Sequence, residues 1–597
     1  KYPKIAARLL LESDKCEDPH VERMVEAFAF LAGRIRLKID DEFPEVTESL
    51  LNVLYPHYLA PIPSMSIVQF ALDAERGKLS TGYLVPKGTQ LQSRPVQGTP
   101  CRFRTCYPAV LWPLEVKSAS LQSSAPVDSR GRWEEAEIRI SLKCINEVPF
   151  SELKFADEKG VRPVVSLRFY LHGEPQLVYP LYEMIFNNTS GVELRGQVAG
   201  SGDHTKAEEV VLPLPAKSIK TVGFEPSDGM LQYTARSHPG YGLLTEYFTF
   251  PEKFLFFDIE GLDSAARCGI GDQLDIVIRV RNVLPPRAVV DAGTFRLGCS
   301  PIANLFNKTA EPIHLSHQQH EYHVIPDVHR QMATEIYSID GVISVDPTLQ
   351  QSRTFQPFYS TRHSFDSEPG QTYWYASRRL SHRKEDPGTE VFVSLVDLGL
   401  NPNVPAVETV TVHTTCTNRD LPARLPFGGR EGELDVEGAA PLSRVRCLRK
   451  PTVTVRPPLR RGAHWRLISH LSLNHLSIVG GADALDSLRE ILMLYDFVDS
   501  AATRKQISGI TGVSSRRAVR QAGSRIGTGF VRGIETTVEF DEEQFVGGGV
   551  FLFAAVLERF LALYASVNSF SQLEARTKQR EGTLKRWPAR AGEQIVL

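Results

Sequence analysis

The densest run of residues able to do chemistry is a set of histidines. His314, His317, His320 and His323 recur every third residue, and His329 follows. Imidazoles three apart on a helix share a face and could hold a metal ion. This run, however, starts after Pro312 and leads into Tyr322-His-Val-Ile-Pro, which reads as extended chain. In a strand, residues three apart point to opposite faces. His320-Glu-Tyr-His is one residue short of the HExxH spacing of zinc peptidases. Polar loop histidines outweigh a metal centre. The eight cysteines include no CxxC pair, and the nearest two, Cys101 and Cys106, are five apart. A structural zinc site usually needs two close ligand pairs. Scattered thiols in a large chain fit a reducing compartment.

Other motifs fare no better. Arg504, Lys505, Arg516, Arg517, Arg520, Arg525 and Arg532 form one long basic stretch, with no acidic residue between Asp499 and Glu535. It could contact phosphates, but Phe530 alone is no stacking platform for bases. A solvated loop or a charged protein interface is the better reading. Gly547-Gly-Gly precedes a helical pattern, yet lacks GxxxxGK[ST] or GxGxxG spacing and follows acidic Asp541-Glu-Glu-Gln. No GxSxG occurs, and no carboxylate pair is set apart by local sequence. Spacing therefore offers no catalytic residue, no metal ligand and no cofactor or small-molecule site.

Composition is ordinary for a soluble globular protein. At 597 residues the chain is too long for one core. Charged residues make up 23% and the formal net charge is −2, so no global field recruits nucleic acid or an anionic membrane. The longest apolar run, Val550 to Phe570, is broken by Glu558-Arg559. A central charge pair is costly in a bilayer, so the run is a buried or interface helix and not a span.

The elements follow from period and punctuation. Asp18-Pro19 suits a helix start. Val21, Met24, Val25, Phe28, Leu31, Ala32, Ile35 and Ile39 then form an i, i+3/i+4, i+7 stripe. A second helix is expected from Pro44, with Val46, Leu50, Val53 and Leu54 on its face, ending at Pro56. Between them, DEFPEV is expected to turn. From Ser64 the period changes to two, with short strands and turns. Leu181 to Phe186 reads as a short helix, and Asp483 can cap another. The fold class is α+β and multidomain. The expected units are a helical bundle segment at 1–63, a β-rich domain at 64–220, a mixed β-rich domain at 221–464 and a C-terminal α/β domain at 465–597.

Three stretches together resemble one family. They are Val21 to Met65, Ile302 to Asp340 (with NLF, AEPI, LSH, EYHVIPD and EIYSID) and Arg532 to Leu573 (with RGIE and FVGGGVFLFAAVLERFLALYASVNSFSQL). The ending Arg586-Trp-Pro-Ala-Arg also fits. The chain resembles the TssF (ImpG/VasA) family of type VI secretion baseplate subunits, essentially end to end. The resemblance implies a non-catalytic wedge protein related to those of contractile phage tails, and a further helical segment before Lys1. It implies two TssF with one TssG, repeated around a spike hub of VgrG. Contacts with TssK, TssE and neighbouring TssF copies follow, in the cytoplasm at a baseplate docked on the inner-membrane complex and carrying the contractile sheath. Hinges are expected at Pro56–Pro63 and Gly547–Gly549. Under this reading Val21, Met24, Phe28, Leu31, Ile35, Ile39, Leu50 and Leu54, with Phe551, Phe553 and Phe560, are the candidate partner interface. The alternative is a β-rich carbohydrate-binding or hydrolytic protein, suggested by many strands and by aromatics such as Tyr373-Trp-Tyr.

Overall fold

A computed structural model describes residues 19–73, 81–124, 133–145, 148–157, 160–198, 209–234, 237–283, 289–315, 319–346, 351–358, 372–383, 386–397, 409–429, 432–437, 442–457, 459, 464–465, 467–468, 480–481, 483–524, 527–567 and 569–592. The cap expected at Asp18 lies outside these residues. The chain divides into two compact units: residues 1–59 with 457–472, and residues 60–456 with 473–597.

In the first unit, one 36-residue helix, Pro19–Leu54, replaces the two helices and the DEFPEV corner. Pro44 lies inside it. A proline removes one helical hydrogen bond and costs about 3 kcal/mol, but the apolar stripes before and after it are in phase. Ile35 and Val46 are eleven residues apart, about three turns, so a continuous helix keeps both on one line. After the helix, Pro56–Tyr58 forms a 3₁₀ turn with Pro at its start. Leu51, Tyr55 and Tyr58 are buried, Tyr55 packs on Tyr58, and Tyr58 meets the His464 ring edge-on.

The second unit is a set of sheets. Six strands close a barrel in the order Met65–Leu72, Cys299–Ala303, Thr99–Thr105, Gln90–Val96, Leu434–Val436 and Leu442–Cys447. Val68, Phe70, Leu91, Phe103, Ile302 and Val445 fill it. The barrel draws strands from both 64–220 and 221–464, so its core crosses the boundary expected near residue 220. A five-stranded antiparallel sheet centres on Ile270–Val283, with the row Leu194, Ile276, Ile140 in register across three strands. All three side chains are buried, as the alternation of period two requires. An eight-stranded sheet carries Glu335–Asp346, Thr372–Leu380, Thr389–Asp397 and Thr409–Thr417.

The C-terminal part is a sheet in the order Ile510–Ser524, Gly527–Phe540, Ser569–Thr577 and Thr583–Arg586. Its second and third strands are parallel. A parallel pair needs a crossover, and helix Val550–Leu563 supplies it. Gly533 sits where the two strands approach; a Cβ there would overlap the Phe570 ring and backbone. The short helix expected at Leu181–Phe186 is the C-terminal half of a 13-residue helix, Pro175–Asn187.

Candidate assembly surface

Every residue from Glu22 to Arg36 on the long helix is exposed, apolar and polar alike. Met24, Phe28, Phe30, Leu31 and Ile35 are each more than half exposed, and Phe28 reaches 73%. Val21 is half-buried. Ile39 falls at 37–45, where the side chains lie outside the described residues. At about 100° per residue, Met24, Phe28, Leu31 and Ile35 share one line that continues onto Val46 and Val53. Val46 is also exposed. Leu51, which is fully buried, points to the opposite side. Leu50 and Leu54 flank the stripe and remain exposed. The helix thus uses one face near its C-terminal end for its own unit and leaves the long apolar stripe uncovered. Contiguous exposed apolar surface of this kind marks an interaction site. Burying a Phe, Leu or Ile side chain is worth about 1.5–3 kcal/mol, so covering Met24, Phe28, Leu31 and Ile35 would supply on the order of 6–12 kcal/mol before the cost of association. Arg34 lies over the Phe30 ring on another side of the helix, 6.0 Å from its centroid.

Phe551, Phe553 and Phe560 behave differently. They are 3, 0 and 0% exposed. Their helix packs on Pro239–Thr249, Pro175–Asn187 and Ser569–Thr577, so these rings belong to the core of their own unit and face no partner. Phe551 stacks on Trp587, and Phe553 meets Tyr247, Phe248, Phe540 and Phe545. Glu558, which breaks the apolar run, is buried too. Arg590 and Arg559 pair with it, and desolvation raises its pKa. No helix among the described residues is long and apolar enough to cross a membrane.

The chemical candidates are dispersed. His314 lies on a strand and meets Thr409, His323 stacks on Phe392, and His320 and His329 are exposed. His317 is outside the described residues. Among the described residues, no group of three His, Cys, Asp or Glu converges as metal ligands would. Cys101, Cys106, Cys144, Cys299, Cys416 and Cys447 are buried. Burial pushes the Cys101 thiol up to about 11 and that of Cys106 to about 12, so both stay protonated. Tyr373 and Trp374 are buried in the eight-stranded sheet and offer no sugar platform.

The basic stretch is not a loop. Arg504 and Lys505 lie on helix Ala501–Ser508, Arg516, Arg517, Arg520 and Arg532 lie on two long antiparallel strands, Ile510–Ser524 and Gly527–Phe540, and Arg525 is outside the described residues. Arg520, Arg516 and Arg586 converge on Glu535 at 2.9, 2.8 and 3.0 Å. Hydrogen bonding from Arg520, then Arg516, holds that carboxyl below its usual range.

Sequence reading missed a buried ion pair. Glu246 and Lys253, 1 and 2% exposed at their side chains, pair directly. Glu246 also accepts from the backbone amides of Met230 and Leu231 at 2.8 and 3.1 Å. Lys253 donates to the carbonyl of Asp228 at 3.2 Å. The seven-residue gap spans a helix end and a 3₁₀ turn, so no simple period exposes it. The aromatic run around it was the only signal. Glu335 is treated in the same way: it accepts from Thr389 and pairs with Arg456. Each of these buried carboxylates is paired with a cation.

Residues 1–594 match the family model described as Type VI secretion system, TssF. The chain is 37% identical over 616 positions to type VI secretion system component TssF1 of Pseudomonas aeruginosa, covering 100% of this chain and 96% of that protein. Its fold resembles a chain of the type VI secretion system TssK-TssF-TssG baseplate subcomplex solved by cryo-electron microscopy, with TM-score 0.70, 29% identity, and coverage of 96% and 99%. It also resembles a chain in the baseplate complex from the type VI secretion system, with TM-score 0.57, 25% identity, and coverage of 100% and 96%. A family match over nearly the whole length accounts for a many-sheeted chain with an uncovered apolar helix: this protein belongs to the TssF family of the type VI secretion system.

Proposed function

We propose that this chain is a non-catalytic structural subunit of a type VI secretion baseplate, and that its long N-terminal helix is the element that joins it to partner chains. The carrying observation is the stripe Met24, Phe28, Leu31 and Ile35, exposed while the same helix buries Leu51 on its other side. Similarity to a chain solved together with TssK and TssG supports TssG and TssK as partners. Two TssF copies with one TssG make the wedge in this reading, with Val21, Ile39, Leu50 and Leu54 extending the contact. Wedges repeat around the VgrG hub, contact TssE and adjacent TssF copies, and carry the sheath on a cytoplasmic baseplate docked at the inner-membrane complex. Residues 56–63 and 547–549 are the hinges that let two identical copies take unequal positions.

The test is co-purification with the TssG encoded beside this chain. Phe28→Asp with Leu31→Asp should abolish co-elution. Both side chains are exposed in the free chain, so its circular dichroism and thermal midpoint should hold. Undiminished co-elution of the folded variant would refute the reading.

A further inference from the structure

A groove of about 990 Å³ opens in the second unit. Its walls are the barrel end at Lys87 and Arg104, the irregular stretch Gly223–Thr234, helix Pro239–Thr249 and the C-terminal end of helix Val550–Leu563. Phe224, Met230, Leu231, Leu243 and Leu563 supply an apolar lining. Among the described residues the lining carries five cations, Lys87, Arg104, Lys253, Arg559 and Arg590, against the carboxylates Glu225 and Glu246. Three of the cations are already neutralised. Lys253 pairs with Glu246, Arg559 with Glu225 at 3.0 Å, and Arg590 with Glu558 behind the wall. Two are not. Lys87 is exposed and, among the described residues, donates only to the carbonyls of Ser227 and Gly229, at 2.6 and 3.2 Å. Arg104 is half-buried, and among the described residues its guanidinium has no hydrogen bond or ion pair. The two are neighbours at the barrel end, Lys87 in the turn before strand Gln90–Val96 and Arg104 on strand Thr99–Thr105: the amide of Gly88, next to Lys87, donates to the carbonyl of Thr105, next to Arg104, at 2.8 Å.

Desolvating a cation without a partner is costly, and evolved interfaces pair such groups across the contact. We propose that this groove docks an extended acidic segment of a partner protein, with carboxylates at Lys87 and Arg104 and an apolar side chain against the lining. The size is at the upper end of small-molecule clefts, and the floor follows an irregular stretch of chain, which suits a peptide better than a compact ligand. The inference rests on the scaffold reading only in taking the occupant to be protein.

The probe is an array of overlapping 15-residue peptides spanning the baseplate proteins encoded beside this chain, incubated with the full-length chain. Captured peptides should be enriched in Asp and Glu around an apolar residue, and capture should weaken as salt rises. Lys87→Glu with Arg104→Gln should lower capture about tenfold or more, with thermal midpoint and TssG co-elution unchanged. Should that pair unfold the chain, exposed Lys87→Glu alone must still lower capture. Capture without acidic enrichment, or capture indifferent to these substitutions, overturns the proposal. So does stabilisation by millimolar phosphate or citrate with no peptide captured, which would make the groove a small-anion site. TssG co-elution in the same samples separates failure of the groove from failure of the scaffold reading.

Discussion

Breaking the Glu246–Lys253 pair should open the segment it holds. Glu246→Ala removes the counter-charge of a lysine 2% exposed at its side chain and the acceptor of two buried amides, those of Met230 and Leu231. Breaking one partner of a buried pair costs about 3–5 kcal/mol, and each orphaned amide adds about 1–3 kcal/mol. The local cost is therefore on the order of 5 kcal/mol or more. Glu246→Gln with Lys253→Met removes both charges and keeps an oxygen for the amides, so most of that loss should return, because replacing a buried pair with neutral groups is often near-neutral. A chain of this size need not unfold in two states, so local opening is the proper readout. Hydrogen exchange of the peptide holding Met230 and Leu231 should accelerate by more than about a hundredfold in Glu246→Ala, since about 1.4 kcal/mol is a factor of ten. Exchange in the double variant should return close to wild type. Strictly additive single effects, or a Glu246→Ala variant as protected as wild type, would refute the electrostatic account.

Two other perturbations test the C-terminal sheet. Gly533→Ala forces a methyl into the Phe570 ring and backbone; overpacking costs about 1–3 kcal/mol, and a lowered thermal midpoint of that sheet is expected, whereas an unchanged one contradicts the packing. Lys585 donates to the carbonyl of Phe186 beneath the Phe551 and Trp587 rings, and burial lowers its pKa to about 8. Between that value and the unfolded value of about 10.4, the unfolded chain binds the extra proton, so stability rises with pH across this window. Lys585→Met should lose this rise in denaturation series from pH 7.5 to 10, and a wild-type profile flat over that range would contradict it.

Much of the fold was legible because burial on one face imposes period. Ile138 and Ile140 alternate because one face of their sheet packs inward, and the stripe Met24 to Ile35 shows because helix phase repeats. Three things were hidden. Pro44 looked like a corner because proline's local cost is visible and the phase of residues eleven apart is not. The strand Ile510–Ser524 looked like loop because Arg, Gly, Ser and Ala give no apolar alternation; the arginines that converge on Glu535, Arg520, Arg516 and Arg586, are 15, 19 and 51 residues from it. Apolar Phe551, Phe553 and Phe560 could not be told from an interface, since a helix apolar all round is covered either by its own chain or by another. Here it is covered by its own chain. The groove was invisible for a simpler reason: Lys87 and Arg104 flank one hairpin, while Glu225 and Arg559 come from two distant stretches.

The most direct test of the assembly claim is the native mass of the complex formed when this chain is co-expressed with its TssG. The account predicts a species of two copies of the 66.6-kDa chain and one TssG, lost when Phe28 and Leu31 become Asp while the free chain stays folded. A chain that elutes without TssG, or a complex that survives those substitutions intact, would contradict it.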